Sequence, residues 1–253
     1  MSKLPERYAF LDLSDYGRPI AKVIASSLKN THFTPIHVTI AFIISGIIGI
    51  VFILNGQYWW AGFFIILKSI LDAADGELAR MKNTPSYTGR YLDSVSDIIL
   101  NMFIFAAIHL ITDSNIIYTV IAFLGLQLQG TLYNYYYVIL RNSLQGDTTS
   151  RIFENDTPVA LEGEKQRHVN ILFALYKLLY STFDKTIYVL DKNASKGTLC
   201  PKWLMTAIST FGLGFQLLII SVMLIAGLKE YIIPFFMWYT LLIFVFIGIR
   251  RML

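Results

Sequence analysis

Residues 58–97 read YWWAGFFIILKSILDAADGELARMKNTPSYTGRYLDSVSD. A strongly apolar run opens this stretch, turns acidic at Asp72 and Asp75, and is followed after Asp93 and Asp97 by a second apolar run that ends near residue 112. A helix needs about 20 apolar residues to cross roughly 30 Å of hydrocarbon. Ionisable groups at such depth are costly and persist mainly where they hold a metal, a substrate or a proton. The four aspartates therefore mark the place to look for function.

The rest of the chain supports a membrane setting. Its 253 residues are 55% hydrophobic and 15% aromatic, and the mean hydropathy is +0.55. In lipid the backbone must satisfy its own polar groups, which leaves helices or a closed barrel. The apolar runs are continuous rather than alternating, so helices are expected. The reading is an all-α integral membrane protein with six transmembrane helices, near 36–54, 58–78, 91–112, 115–140, 203–227 and 231–249. Gln127, Gln129 and Asn134 on the fourth should face other helices.

Ahead of the first crossing, residues 14–30 place Ile20, Val23, Ile24 and Leu28 on one helical face. That is the pattern of an amphipathic helix in the membrane interface, and equally of one packed on the bundle. Thr34-Pro35 then opens the first spanning helix, with proline where its missing N–H does no harm. Residues 1–35 thus form a cytoplasmic N-terminus with an interfacial helix, and 36–253 a membrane domain. A long segment at 141–202 begins as polar loop and continues as HVNILFALYKLLYSTFDKTIYVLD. A seventh crossing there would bury Lys177, Asp184 and Lys185, so an interfacial helix is preferred.

Lys and Arg gather in short cytoplasmic loops. Of 21 such residues, only Lys229 falls in the connections near 55–57, 113–114 and 228–230, and Lys68 lies within a helix. The other nineteen lie on the opposite side, which places both termini, the 79–90 connection and the 141–202 segment in the cytoplasm, at a cytoplasmic or inner membrane. The net charge of +4 then reflects topology and anionic headgroups rather than nucleic acid. The single cysteine, Cys200, excludes an internal disulfide and a Cys-based metal site. The first thirty residues are polar and mixed in charge, so the first spanning helix is expected to serve as the insertion signal.

On a helix each residue advances about 100°, so Asp72, Asp75, Gly76 and Ala79 share one stripe with Arg80 at its edge. Gly89, Asp93 and Asp97, four apart, share another. A short connection makes the two helices antiparallel neighbours, so the two faces meet. Four converging carboxylates need compensating positive charge. An all-oxygen set suits Mg2+ or Mn2+ better than zinc, and magnesium usually completes its shell with substrate phosphates. Gly76, Ala79 and Gly89 clear space for a substrate, and Arg80 offers a planar fork to a phosphate oxygen. These parts make a phosphoryl-group transfer site in which one carboxylate is left to deprotonate an alcohol. Any one of these aspartates alone reads as a cap or a bundle charge. The eight positions together arise by chance only about once in 10^10, at about 6% per position.

Asp72, Asp75, Gly76, Ala79, Arg80, Gly89, Asp93 and Asp97 match without departure the signature D-x2-D-G-x2-A-R-x8-G-x3-D-x3-D. The chain thereby resembles the CDP-alcohol phosphotransferase family, closely over about 60–100, more loosely from about 15 to 140, and least over 141–202. The resemblance implies transfer of a substituted phosphate from a CDP-alcohol to a second alcohol with release of CMP, in phospholipid or polar-lipid synthesis. It implies that Asp72, Asp75, Asp93 and Asp97 hold two divalent ions, that Asp97 is also the general base, and that Gly76, Ala79, Arg80 and Gly89 line the nucleotide site. It also implies a homodimer, and that at least one of the two alcohols is a lipid. Many relatives carry Thr-Pro-Asn-x-x-Thr at the first helix, whereas Ile36 stands here in place of the asparagine.

Two other classes use acidic residues in membranes. A prenyltransferase holding a magnesium diphosphate would not need the fixed glycine, alanine and arginine positions, and a cation carrier would line a path across the bilayer. Among secondary candidates, Lys68 stands one turn before Asp72 and is read as a contact to a substrate phosphate, as the partner of that aspartate, or as snorkelling. Arg141 and Arg151 are read as positive-inside charge or as ligands of a phosphorylated acceptor, and His109 as packing or interfacial. Tyr133, Tyr135, Tyr136 and Tyr137 are read as an interfacial aromatic belt rather than a cation box.

Overall fold

Segments with no polar face satisfy their backbones internally, and this chain does so with helices. The computed structural model describes residue 4 and residues 6–144, 156–196 and 200–253, and among these there are α-helices and short 3-10 turns but no strand. Helix α1 (Arg18–Leu28) is followed by α2 (Pro35–Leu54), α3 (Tyr58–Lys82), α4 (Tyr87–Thr112) and α5 (Ile116–Ser143). After α6 (Gln166–Leu190) come α7 (Lys202–Ile208), α8 (Leu213–Ile225), α9 (Ile232–Tyr239) and α10 (Leu242–Met252).

Local chemistry sets the ends of these helices. Pro35 occupies the first turn of α2, and the Thr34 N–H donates to His37 Nδ1 at 3.1 Å. Gly56, at φ +71°, turns the chain from α2 into α3. Asn83 closes α3 in the left-handed conformation, with Thr84 and Pro85 completing a connection far shorter than the expected 79–90. Tight turns of this kind leave consecutive helices antiparallel.

Four helical stretches are long and apolar enough to cross a membrane: Pro35–Leu54, Tyr87–Thr112, Ile116–Ser143 and Lys229–Met252. Lys202–Phe211 and Leu213–Ile225, bent by 53°, make a fifth if taken as one span. Helix α3 has 25 residues, enough for a crossing at about 1.5 Å per residue, but Lys68, Asp72 and Asp75 interrupt it and set it apart from the others. The bend at Gly212 seats the N-terminal segment. Leu13 N–H donates to Ser209 Oγ at 2.9 Å, and a Cβ on Gly214 would lie 2.0 Å from the Ser14 carbonyl oxygen, so only glycine admits this approach.

The core divides into two main apolar clusters. One joins Ile53, Ile65, Ile104, Leu126, Leu217 and Phe236, and the other joins Leu132, Tyr136, Ile187, Leu204, Phe211 and Ile243. Polar ties cross the bundle between them. Gln216 Nε2 donates to Gln129 Oε1 at 2.9 Å, and Gln129 Nε2 donates to Thr240 Oγ1 at 2.9 Å. Gln127 and Gln129 are buried as expected, but Asn134 is exposed. Five positions beyond Gln129, it has turned about 140° away from the inner face.

Helix α1 lays Ala21 and Ala25 against Ile70, Ala74 and Leu78 of α3, while Ile20 and Val23 stay exposed. Its apolar face is therefore shared between the bundle and the surroundings. The helix expected over 168–191 is present as α6, with Val169, Phe173 and Ile187 inward and Ile171, Leu175 and Leu178 outward. Just past its end, Asp191 is 1% exposed, pairs with Arg250, and accepts the Tyr136 hydroxyl at 2.7 Å. The Tyr135 hydroxyl donates to the Asp191 carbonyl at 3.1 Å. An aromatic belt is thus the wrong reading for Tyr135 and Tyr136: both rings turn inward to Asp191, one to its backbone carbonyl and the other to its carboxylate. Tyr133 stacks on Tyr137, with centroids 5.7 Å apart, and donates to Asp12.

Candidate metal and nucleotide site

The acidic ends of α3 and α4 face each other. One carboxylate oxygen from each of Asp72, Asp75 and Asp93 lies within 4.8 Å of the other two. Asp72 and Asp75 share a face of α3 because three residues advance the helix by nearly a turn, and Asp93 meets them from α4. Asp75 is buried and accepts the Thr39 hydroxyl at 2.6 Å, which fixes its orientation from α2. Asp93 Oδ1 is buried with no hydrogen-bond partner among the described residues. An orphaned carboxylate oxygen in a cluster of like charge is what a divalent cation would satisfy, and the all-oxygen donor set suits Mg2+ or Mn2+. The residues present fit such an ion.

The fourth aspartate is engaged elsewhere. Asp97, one turn beyond Asp93, accepts from Lys68 Nζ. Lys68 is wholly buried, with its ammonium 5.2 Å from the centre of the Phe42 ring. Snorkelling is therefore ruled out for Lys68, and its partner is Asp97 rather than Asp72. The lysine stem reaches across the helix pair, where sequence spacing along α3 had pointed up its own helix.

A cleft of about 540 Å³ opens beside the cluster. Asp75, Gly76, Ala79, Gly89 and Asp93 line it, together with Thr39 and Ile36 from α2. A Cβ on Gly89 would stand 3.3 Å from Ser86 Oγ and 3.8 Å from Ile36 Cγ1, so this glycine keeps the cleft open beside the residue that departs from the Thr-Pro-Asn pattern. Arg80 lies outside the lining. Its Nη2 sits 3.1 Å from Glu77 Oε1, which also takes Arg18 Nη1 at 3.0 Å, while Arg18 pairs with Asp15. Glu77 is buried and gathers both arginines, with the Arg80 guanidinium lying over Gly76.

The far wall of the cleft comes from residues 162–164. Glu164 Oε1 accepts from Ser86 Oγ at 2.8 Å and from the Thr88 N–H at 2.7 Å, and its Oε2 accepts from the Leu161 N–H at 3.0 Å. Burial by itself would raise the pKa of this carboxyl by disfavouring its charged form. The three donors outweigh burial and hold it below the usual carboxylate range.

The whole acidic pattern falls inside a match to the family model for CDP-alcohol phosphatidyltransferase, which covers residues 32–190. The chain belongs to the CDP-alcohol phosphatidyltransferase family. No curated protein matches the chain. Members of this family are membrane transferases of lipid synthesis that use a CDP-alcohol and a second alcohol and depend on divalent metal. The matched region takes in α2 to α6, so the aspartates, the cleft and the wall at 162–164 all lie within it.

Several neighbours of the site escaped the sequence reading. Thr39 closes the Thr-Pro stretch and had a visible signal there. Glu77 points about 200° from Asp75 on the helix, so its place inside DGELAR carried no hint of the arginines it holds. Glu164 sits in a polar loop without any pattern. Arg141 is buried, 5.7 Å from the Tyr137 ring, and Arg151 lies outside the described residues. His109 meets Ser114 and Thr119 at the far end of α4, consistent with packing.

Proposed function

We propose that the protein transfers a substituted phosphate from a CDP-alcohol to the hydroxyl of a second alcohol, with CMP as the leaving product. The observation that carries this reading is the meeting of Asp72, Asp75 and Asp93 at the edge of a cleft lined by Gly76, Ala79 and Gly89. With them in place, a bound pair of divalent ions would supply positive charge to the diphosphate and to the charge that develops on the departing phosphate.

The chain's own residues would divide the remaining work. Asp72, Asp75 and Asp93 hold the metal end of the donor. Thr39 keeps Asp75 in position. Gly76, Ala79 and Gly89 admit the nucleotide backbone, and Arg80 reaches a phosphate oxygen on exchanging its bond to Glu77. Asp97 takes the proton of the attacking hydroxyl. Lys68 occupies one of its carboxylate oxygens and leaves the other for that proton. The new bond joins the acceptor oxygen to the β-phosphorus, and the bond that breaks joins that phosphorus to the oxygen bridging to CMP.

The Lys and Arg asymmetry supports a cytoplasmic site with both termini on the same side. Counting α3 with the four apolar stretches and the bent pair gives six crossings, with α1 and α6 at the interface. A homodimer and a lipid as one of the two alcohols complete the proposal.

The test incubates purified protein and Mn2+ or Mg2+ with each of several CDP-alcohols and a panel of acceptors. CMP and the joined product, identified by mass, are expected together. Pyrophosphate release, or ion flux without CMP, would overturn the reading.

A further inference from the structure

Residues 158–166 form a strap braced against itself and against α4. Ala160 N–H donates to Gln166 Oε1 at 2.8 Å, Gln166 Nε2 donates to the Pro158 carbonyl at 3.0 Å, and the Glu164 N–H donates to the Leu161 carbonyl at 3.0 Å. Ala160 packs with Tyr87, Tyr91 and Val169. Gly163, at φ +86°, lets the chain reverse at the lip of the cleft. The strap is fastened to α4 through the Glu164 carboxylate, which accepts from Ser86 and Thr88 at the first turn of that helix.

The placement along α4 indicates which part of a donor the strap meets. Ser86 precedes Asp93 by seven residues, about 10 Å along the axis at 1.5 Å per residue. If Asp75 and Asp93 hold the diphosphate end, the part of the donor lying towards Ser86, Glu162 and Gly163 is its nucleoside. Glu164 itself has both oxygens committed to protein donors, so it shapes the wall without needing to touch the ligand.

We infer that residues 162–164 are the nucleoside-facing wall of the donor site and that Glu164 is the positioning residue that holds this wall to α4. The inference rests on the proposed function and assigns a role to a segment whose composition suggested none. Losing Glu164 frees the wall and leaves the aspartates, Lys68 and the acceptor side in place. The cost then falls on nucleotide affinity and not on turnover.

The experiment compares the full-length wild type with Glu164→Ala and Glu164→Gln. For Glu164→Ala, KM for the CDP-alcohol and the inhibition constant of CMP should rise together on the order of tenfold, the size of one lost charge-assisted hydrogen bond. Both kcat and KM for the acceptor should stay at wild-type values. Glu164→Gln keeps an oxygen for Ser86 and Thr88, so it should fall between the two. In hydrogen exchange, CMP should slow the amides of 162–164 in the wild type and have no such effect in Glu164→Ala. Unchanged KM, a fall in kcat alone, or no CMP protection at 162–164 overturns the wall. If the wild type neither releases CMP from any CDP-alcohol nor binds CMP, the proposed function fails and the inference falls with it.

Discussion

The Lys68 ammonium, fully withdrawn from solvent, is paired with the Asp97 carboxylate. Removing one member of a buried pair leaves the other charge uncompensated, at a cost of about 3–5 kcal/mol. Lys68→Met should therefore lower the thermal midpoint sharply and abolish CMP release. Lys68→Met combined with Asp97→Asn should recover most of the stability and none of the activity. A double variant no more stable than Lys68→Met would show that the pair is not the source of the loss.

Asp97 lies outside the trio of aspartates whose carboxylate oxygens fall within 4.8 Å of one another, and it accepts from Lys68. Asp97→Asn keeps the shape of the side chain and removes the proton acceptor, so turnover should fall on the order of 10^2 to 10^4-fold. Mn2+ binding, followed by electron paramagnetic resonance, should persist in this variant and be lost in Asp93→Asn. Wild-type CMP release from Asp97→Asn would sink the base assignment.

Thr39 is bonded to Asp75, a residue of the cluster, and should tune its hold on metal. Groups that orient metal ligands typically contribute about 10- to 100-fold in affinity or activity. Thr39→Val, close in shape, should raise the Mn2+ concentration needed for half-maximal activity by about that factor while saturating metal restores much of the rate. A metal dependence identical to wild type would detach Thr39 from the site.

Burial pushes the Cys200 thiol up to about 11. Only the thiolate reacts, so alkylation should be slow at neutral pH and rise about tenfold per pH unit through the range where an ordinary thiol, near 8.5, has levelled off. Mass spectrometry of iodoacetamide-treated protein at several pH values measures this. A rate that plateaus above pH 9 would contradict the burial of this side chain.

The parts legible in the sequence were those carried by period and spacing. Continuous apolar runs gave the long helices within a few residues of their ends, and the face shared by Asp72 and Asp75 followed from 100° per residue. What crosses between helices was not legible. Lys68 stands one turn from Asp72, yet its length lets it reach Asp97 on α4, and no one-dimensional spacing encodes that choice. Asn134 looked like a buried amide because it is polar in an apolar run, but five positions from Gln129 it had rotated outward. The bend at Gly212 was hidden because both flanks are equally apolar. Tyr135 and Tyr136 were misread because their partner, Asp191, lies more than fifty residues away in sequence.

Asp191 also bears on how the protein can be handled. Helix α6 starts two residues after the carboxylate that fastens the strap to α4 and ends against a carboxylate that grips Arg250, with Arg251 close by. It is a strut pinned at both ends, and its distal pin depends on the side chains of Arg250 and Arg251. Trimming 250–253 as a dispensable tail would unhook the strut, and the damage would surface some sixty residues upstream. Arg250 and Arg251 are therefore best left untouched, and a loss of donor affinity after such trimming would be remote in origin.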